Sequence, residues 1–289
     1  VMVFEANLGA AGWLVSDASW KARKADAWEI DWGGGSVDPV AAGVPVEVFD
    51  ARRFAQGWQA LDFDDGAWGN AQVVPSVHIG GYARTQPPTD PYGPLYPRPI
   101  AALGGEVRRP AQARVETLAG AIDLAIGSPV RRIEATLDLQ RTERRVLDGL
   151  PATVDVPADG STLLVLDMGR IVSGLVGFEV DAPAGTVLDL SYLEEPVKPR
   201  MGFVGGHAGS RYTARGADDC FDLFDTNGFR YAYILVHGMS GPVTLRDFYV
   251  RELIYPWTPG ATFACNDDEI NRIYAAGIRT VALNSHDAF

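Results

Sequence analysis

Carboxylates are the side chains in this sequence best suited to chemistry, and they recur as adjacent pairs at Asp64-Asp65, Glu194-Glu195, Asp218-Asp219 and Asp267-Asp268. Cleaving a glycosidic bond needs two carboxyl groups about 5 to 9.5 Å apart across a pocket, one of them with a raised pKa to act as acid. Neighbours on a strand point to opposite faces, and neighbours on a helix sit about 100° apart. Adjacency therefore gives none of these pairs a catalytic geometry, and no catalytic residue is predicted in the chain. Asp267 and Asp268 have a simpler role, because acidic residues in the first turn of a helix are favoured by its dipole.

The other reactive side chains are sparse. His78, His207, His237 and His286 lie in different segments, with no Cys, Asp or Glu at ligand spacing and no HxH or HExxH pattern. Each is expected to be solvated or hydrogen-bonded, and no metal site is predicted. Cys220 and Cys265 are the only cysteines, too few for a disulfide framework or a structural zinc site, and both are expected to be free thiols. No glycine-rich loop joins a strand to a helix, and no GxSxG elbow is present. Nucleotide chemistry and activated-serine hydrolysis are thereby unsupported, no cofactor is predicted, and substrate-binding residues stay unassigned.

Charge narrows the partners. A net charge of -12 and a pI near 4.7 argue against nucleic acid or an anionic membrane surface, both of which need basic patches. No apolar run approaches the ~18 to 20 residues of a membrane span, so no membrane partner is expected. A neutral substrate such as a sugar suits this balance. Hydrophobic content of 47% against 21% charged residues belongs to a folded protein, and 289 residues suffice for two domains. The start, Val1-Met2-Val3-Phe4, has no initiator methionine, basic n-region or small-residue cleavage site, so a trimmed or excerpted N-terminus is expected and the compartment is unassigned.

Most of the chain reads as strands and turns. Residues 1–80 carry short apolar segments with Trp13, Trp20, Trp28, Trp32, Trp58 and Trp68, expected to form the core of a jelly-roll-like β-sandwich. Phe63-Asp64-Asp65-Gly66-Ala67-Trp68 is a turn in which acidic side chains close Asx turns and the Trp packs back. Residues 81–106 lie in a stretch crowded by Pro87, Pro88, Pro91, Pro94, Pro97 and Pro99 among tyrosines, an extended strap rather than a strand. Residues 107–258 read as a second β-sandwich, with strands over Thr162–Leu166, Ile171–Val180, Thr186–Leu193, Arg230–Val236 and Val243–Val250 separated by Gly and Pro. In Arg246–Arg251 the alternation of Phe248 and Val250 with Asp247, Tyr249 and Arg251 predicts one wet face. Gly202–Gly209 reads as a long loop.

Residues 259–289 differ. Ile270, Ile273, Tyr274, Gly277 and Val281 share one face at helical spacing, and Asn266 followed by Glu269 has the form of a capping box, so a helix is predicted from about Asp267. One bordering helix cannot bury an apolar face alone. It is expected to be the first helix of a helical domain, with that face lying on the second sandwich or left uncovered.

In this order, several phrases resemble the bacterial α-L-rhamnosidases of the glycoside hydrolase family 78 type. Ser19-Trp20-Lys21-Ala22, Val48-Phe49-Asp50-Ala51-Arg52-Arg53 to Gly57-Trp58, and Asp64-Asp65-Gly66-Ala67-Trp68 resemble that family's N-terminal jelly-roll. Asp167-Met168-Gly169-Arg170 to Gly174 and Gly177, then Ala184-Gly185-Thr186 to Tyr192 and Glu194, and Asn227-Gly228-Phe229-Arg230-Tyr231 resemble its central sandwich. The closing Phe263–Phe289 is similar to the entry into its (α/α)6 barrel. The resemblance implies an all-β support of two sandwiches followed by the first helix of a truncated barrel. It implies inverting hydrolysis of terminal α-L-rhamnose from a glycoside or oligosaccharide, with the catalytic carboxylates beyond Phe289 and this stretch inactive alone. Asn284, His286 and Asp287 are the nearest residues to such a barrel pocket and are expected to pack rather than catalyse. The alternative is a non-catalytic carbohydrate-binding or scaffold module whose exposed tryptophans or tyrosines stack on sugar rings.

Overall fold

A computed structural model of the chain describes residues 4–31, 46–73, 100–158, 160–195, 209–257 and 260–285. The described residues are mostly β, 46% of them in strands against 15% in helices. Two compact units emerge, Val1–Asp26 with Ala55–Ile100, and Ala27–Phe54 with Ala101–Phe289. The segment read from sequence as residues 1–80 is therefore shared between them. Most of the proline-rich strap and the loop around His207 fall outside the described residues, as do His78, His286 and Asp287.

In the first unit, β1 (Glu5–Asn7) pairs with β2 (Trp13–Val15) and β3 (Lys21–Ala22) pairs with the later strand Gly69–Asn70, both antiparallel. The acidic turn forms as its chemistry dictates. Asp64 Oδ1 accepts from the Gly66 amide at 2.9 Å, the Trp68 amide donates to Asp65 O, and the Trp68 ring meets Phe63 at 5.6 Å. The expected tryptophan core is not what the described residues show. Trp13 and Trp58 are exposed and Trp20 and Trp68 only half-buried, because the short ladders around them bury few side chains.

The second unit is a sandwich in which two long strands serve both sheets. Its strands are β4 (Trp28–Asp31), β5 (Val46–Asp50), β6 (Val107–Arg108), β7 (Gln112–Leu118), β8 (Arg141–Leu147), β9 (Ala152–Val156), β10 (Ser161–Asp181), β11 (Val187–Leu193), β12 (Gly209–Thr213), β13 (Asp219–His237) and β14 (Gly241–Glu252). The first half of β10 lies between β7 and the end of β13, giving the run β8-β7-β10-β13-β11-β12-β5-β4. Its second half lies between β14 and the start of β13, with β9 and β6 added beside β14. The two strands predicted at Thr162–Leu166 and Ile171–Val180 are thus one strand, bent where its register on β13 slips between Asp167 and Val172. One pairing is parallel, Ser210–Thr213 of β12 on Glu47–Asp50 of β5, and it draws the segment 27–54 into this unit.

Burial explains the composition of the strands. Leu164, Leu166, Ile234, Val236, Leu188 and Leu190 fill the space between the sheets, while Leu163, Val165, Tyr233 and Leu235 form a second core on the opposite face. That second core is closed by Ile133 of helix α1 (Pro129–Ala135) with Leu118 and Leu193. A strand covered on both faces must be apolar at every position, and Leu163-Leu164-Val165-Leu166 is. Helix α1 was not predicted, although Ser128 as N-cap followed by Pro129 is a legible start signal. In β14 the alternation holds, with Phe248 and Val250 fully buried and Arg251 exposed. Tyr249 departs from it, because its ring lies over bare Gly177 beneath the Arg251 guanidinium.

Candidate functional site

Each adjacent carboxylate pair is split by the backbone, as its spacing requires. Asp64 and Asp65 build the turn described above. Asp219 is buried against Arg215, with Nε 2.7 Å from its carboxylate, whereas Asp218 faces Arg246 at 2.8 Å. Burial raises the Asp219 pKa against the pull of the Arg215 contacts. Asp267 and Asp268 open helix α2 (Asp268–Asn284), and Glu194 and Glu195 are exposed. Among the described residues no group of three or more His, Cys, Asp or Glu could hold a metal, and Cys220 and Cys265 are free thiols.

Helix α2 is the element whose mounting matters most. Its N-cap is Asp267 rather than Asn266, with the carboxylate accepting from the amides of Glu269 at 2.8 Å and Ile270 at 3.3 Å. One carboxylate thereby satisfies two of the helix's orphan donors, which the Asn266–Glu269 box would have divided. Asn271 then ties the helix to the incoming chain, accepting from the Cys265 amide and donating to the Cys265 carbonyl. No helix residue is buried. Ile270, Ile273 and Val281 stay 46 to 64% exposed while Tyr274 is half-buried against Phe263 at 5.1 Å, so the uncovered alternative of the sequence reading is realised except at Tyr274.

What holds the helix is polar. Glu252, at the end of β14, has a side chain only 1% exposed, and its two oxygens receive Arg279 Nη2 at 2.7 Å and Arg108 Nε at 3.0 Å. Arg279 Nη2 also donates to the Ile171 carbonyl at 3.1 Å. Beyond the helix end, the Tyr255 amide donates to the buried Ser285 carbonyl at 3.0 Å. Burial pushes the Glu252 carboxyl upward, but the hydrogen bonds and charges of Arg279 and Arg108 outweigh it and leave the pKa below the ordinary value. Sequence reasoning missed this site. Its partners lie 27 and 144 residues from Glu252, and no local pattern links them.

A second buried network seats helix α1. Asp189 on β11 accepts from Arg132 Nη1 at 2.8 Å and from Arg211 Nε at 2.6 Å, and lies 2.9 Å from His237 Nε2. Arg132 Nη2 caps the carbonyls of Leu124 and Ile126. His237, the one histidine among the described residues, is therefore hydrogen-bonded inside the fold as expected. Burial raises the Asp189 pKa, while His237, Arg211 and Arg132 more than reverse it.

The phrase Asp167 to Gly177 is structural in detail. Asp167 Oδ1 accepts from the Gly169 amide at 2.7 Å, and its carboxylate takes a two-point contact from Arg230. Gly169 has φ +76°, a left-handed conformation that a side chain would strain. A Cβ at Gly174 would stand 2.0 Å from the Arg251 carbonyl oxygen. These glycines let one strand bend and pass from sheet to sheet.

The second unit is thus a β-sandwich carrying a helix anchored by polar contacts. Residues 158–251 match the family model for the bacterial alpha-L-rhamnosidase concanavalin-like domain. The rest resembles the same enzymes in architecture. The chain superposes on the GH78 family rhamnosidase of Bacillus sp. GL1 with a TM-score of 0.64 at 17% identity, over 96% of its own length and 47% of that chain. On the α-L-rhamnosidase from Dictyoglomus thermophilum the TM-score is 0.54 at 20% identity, covering 94% and 24%. For the Streptomyces avermitilis α-L-rhamnosidase complexed with L-rhamnose it is 0.51 at 18% identity, covering 96% and 21%. The chain thus spans about half the length of the first and about a quarter or less of the others. Among curated proteins none matches.

Proposed function

We propose that the chain is the β-sandwich portion of a glycoside hydrolase that releases terminal α-L-rhamnose by inverting hydrolysis, with its catalytic carboxyl groups outside these residues. In this reading the 1–80 segment supplies a jelly-roll from the parts outside 27–54, which joins the central sandwich of 107–258; 81–106 is a strap and 259–289 the opening of an (α/α)6 barrel. The observation that carries it is helix α2, held at one pose by Glu252 and Ser285 while Ile270, Ile273, Ile278 and Val281 face outward. A helix fixed by polar contacts with its apolar side bare is suited to receive further helices on that side. In the hydrolysis itself one carboxylic acid would protonate the leaving oxygen, and a carboxylate about 6.5 to 9.5 Å away would activate water on the opposite face of the ring. The match of residues 158–251 supports the family, and Asp64, Asp219 and Asp267, held in a turn, an ion pair and a helix cap, support a catalytic centre elsewhere.

The test is a panel of nitrophenyl glycosides presented to the 289-residue chain and to a protein in which helical sequence follows Phe289. The longer protein is expected to cleave the α-L-rhamnoside and the chain alone to leave it intact. The first sugar seen by proton NMR should be the β-anomer. Release of the α-anomer would overturn the inverting mechanism, and preference for another glycoside would overturn the substrate.

A further inference from the structure

Asn227-Gly228 is the one Asn-Gly step in the sequence, and it lies where β13 is least secured. The ladder between β10 and β13 slips twice, between Asp167 and Val172 and again between Leu175 and Gly177. Between the slips stand only Val172 opposite Phe229, Ser173 opposite Gly228, Gly174 opposite Asn227 and Leu175 opposite Thr226. The second slip is a bulge of β13 fixed by buried Glu47, which accepts from the Phe224 amide at 2.9 Å and from the Asp225 amide, its pKa raised by desolvation.

Within this short patch β10 leaves the Gly228 amide unengaged. The Ser173 carbonyl accepts from the Leu253 amide at 3.0 Å, on the β14 side of β10. A residue in an antiparallel ladder turns its N–H and C=O to the same side, so Ser173 and Gly228 form a non-hydrogen-bonded pair. The Gly228 N–H therefore points away from β10. On that side the register of β11 ends at Leu193 opposite Tyr231, and no described strand reaches Gly228. Gly228 is exposed and Asn227 half-buried, its Nδ2 donating to the Asp225 carbonyl two residues back at 3.2 Å. Backbone geometry does not ask for glycine here. Gly228 is not among the residues with positive φ, and a Cβ on it would meet nothing within 4 Å.

We propose that Asn227-Gly228 is a site of spontaneous covalent modification whose product loosens the anchor of helix α2. The Gly228 nitrogen attacks Asn227 Cγ, the N–Cγ bond forms, the Cγ–Nδ2 bond breaks, and Nδ2 leaves as ammonia with the proton given up by Gly228. Water then opens the five-membered imide at either carbonyl, leaving aspartate or isoaspartate. Water is the one co-reactant. Ring closure requires Asn227 to leave the extended conformation, so the patch must open, and the two slips let it do so without the rest of the ladder. The absent Cβ at Gly228 keeps the attacking nitrogen uncrowded. Isoaspartate adds a methylene to the backbone opposite Gly174, whose neighbour on its other side is Glu252, the residue that holds Arg279. The proposal is independent of the hydrolase reading.

The full chain is held at about pH 8 and about 37 °C and sampled by peptide mapping with mass spectrometry. Asn227 should gain one mass unit roughly tenfold or more faster than Asn7, Asn70, Asn266, Asn271 and Asn284, and acidification should slow it because the attacking nitrogen must lose its proton. Gly228→Ala places its methyl in open space, so it should keep the circular dichroism spectrum of the parent while slowing conversion roughly tenfold. In the isoaspartate fraction, amides of residues 272–284 should exchange faster than in the unconverted fraction. An Asn227 that stays unmodified, or converts no faster than the other asparagines, overturns the site, and so does a rate unchanged by Gly228→Ala. Equal helix exchange in the two fractions overturns its link to α2.

Discussion

Replacing Arg279 by Met keeps the length and apolar stem of the side chain while removing the charge that joins helix α2 to Glu252. The change deletes the 2.7 Å bond to Glu252 and the 3.1 Å bond to the Ile171 carbonyl. Breaking a buried pair by removing one partner costs about 3 to 5 kcal/mol. Two features reduce it here: Arg279 keeps 29% of its side chain in solvent, and Arg108 still engages Glu252. About 2 to 3 kcal/mol remains, in the range for hydrogen bonds to charged groups. The helix has no buried residue to compensate, so the loss should appear as local opening rather than as weaker global folding. At about 1.4 kcal/mol per decade, amides of residues 272–284 should exchange roughly 30- to 150-fold faster by hydrogen-exchange mass spectrometry. Amides of β10 and β13 should keep their protection. Unchanged exchange in the helix, or acceleration spread evenly over the sandwich, would refute the view that Glu252 is its anchor.

Gly174→Ala would set a methyl 2.0 Å from a backbone oxygen, and overpacking of that order should cost about 3 kcal/mol, lowering Tm by roughly 6 to 12 °C in a calorimetric scan. Arg132→Met would strip Asp189 of one buried partner and release the carbonyls of Leu124 and Ile126, so urea unfolding should show a loss of about 3 to 5 kcal/mol. For pH, Asp189 and Glu252 are both held below their usual values of 3.8 and 4.5, so the folded state binds fewer protons there than the unfolded one. Their stabilisation is present above those values and is lost as pH falls through the folded pKa values, which denaturant midpoints at pH 7 and below pH 4 should register as a decline. Glu47, whose pKa is raised, acts with the opposite sign, its contribution fading as pH rises through its folded value.

The strands and the terminal helix were legible for different reasons. Leu163 to Leu166 reads as a strand because two cores demand apolar residues at every position, and helix α2 reads as a helix because Ile270, Ile273, Tyr274 and Val281 recur at its period. The first half of β13 was not legible, since Asp222, Asp225 and Asn227 interrupt its apolar residues at the bulge. Nor was the alliance of β5 with β12, a parallel pairing of segments more than 150 residues apart that nothing local announces. The ion pairs of Glu252 and Asp189 share that limitation. Their carboxylates resemble any others in sequence and acquire partners only once distant strands are adjacent. The absence of a catalytic pair among neighbouring carboxylates, by contrast, follows from strand and helix geometry alone.

Strands β10 and β13 each belong to both sheets, running 21 and 19 residues without a break in the chain. A sandwich made of separate sheets has a seam along which its halves can slide, and this one is sewn through. Strain applied at helix α2 enters through Glu252 into β14, whose ladder on β10 begins at that same residue, opposite Gly174. From there it is shared by every strand paired to β10, so the sandwich should answer such strain as a single stiff body, with compliance confined to the salt-bridged joint.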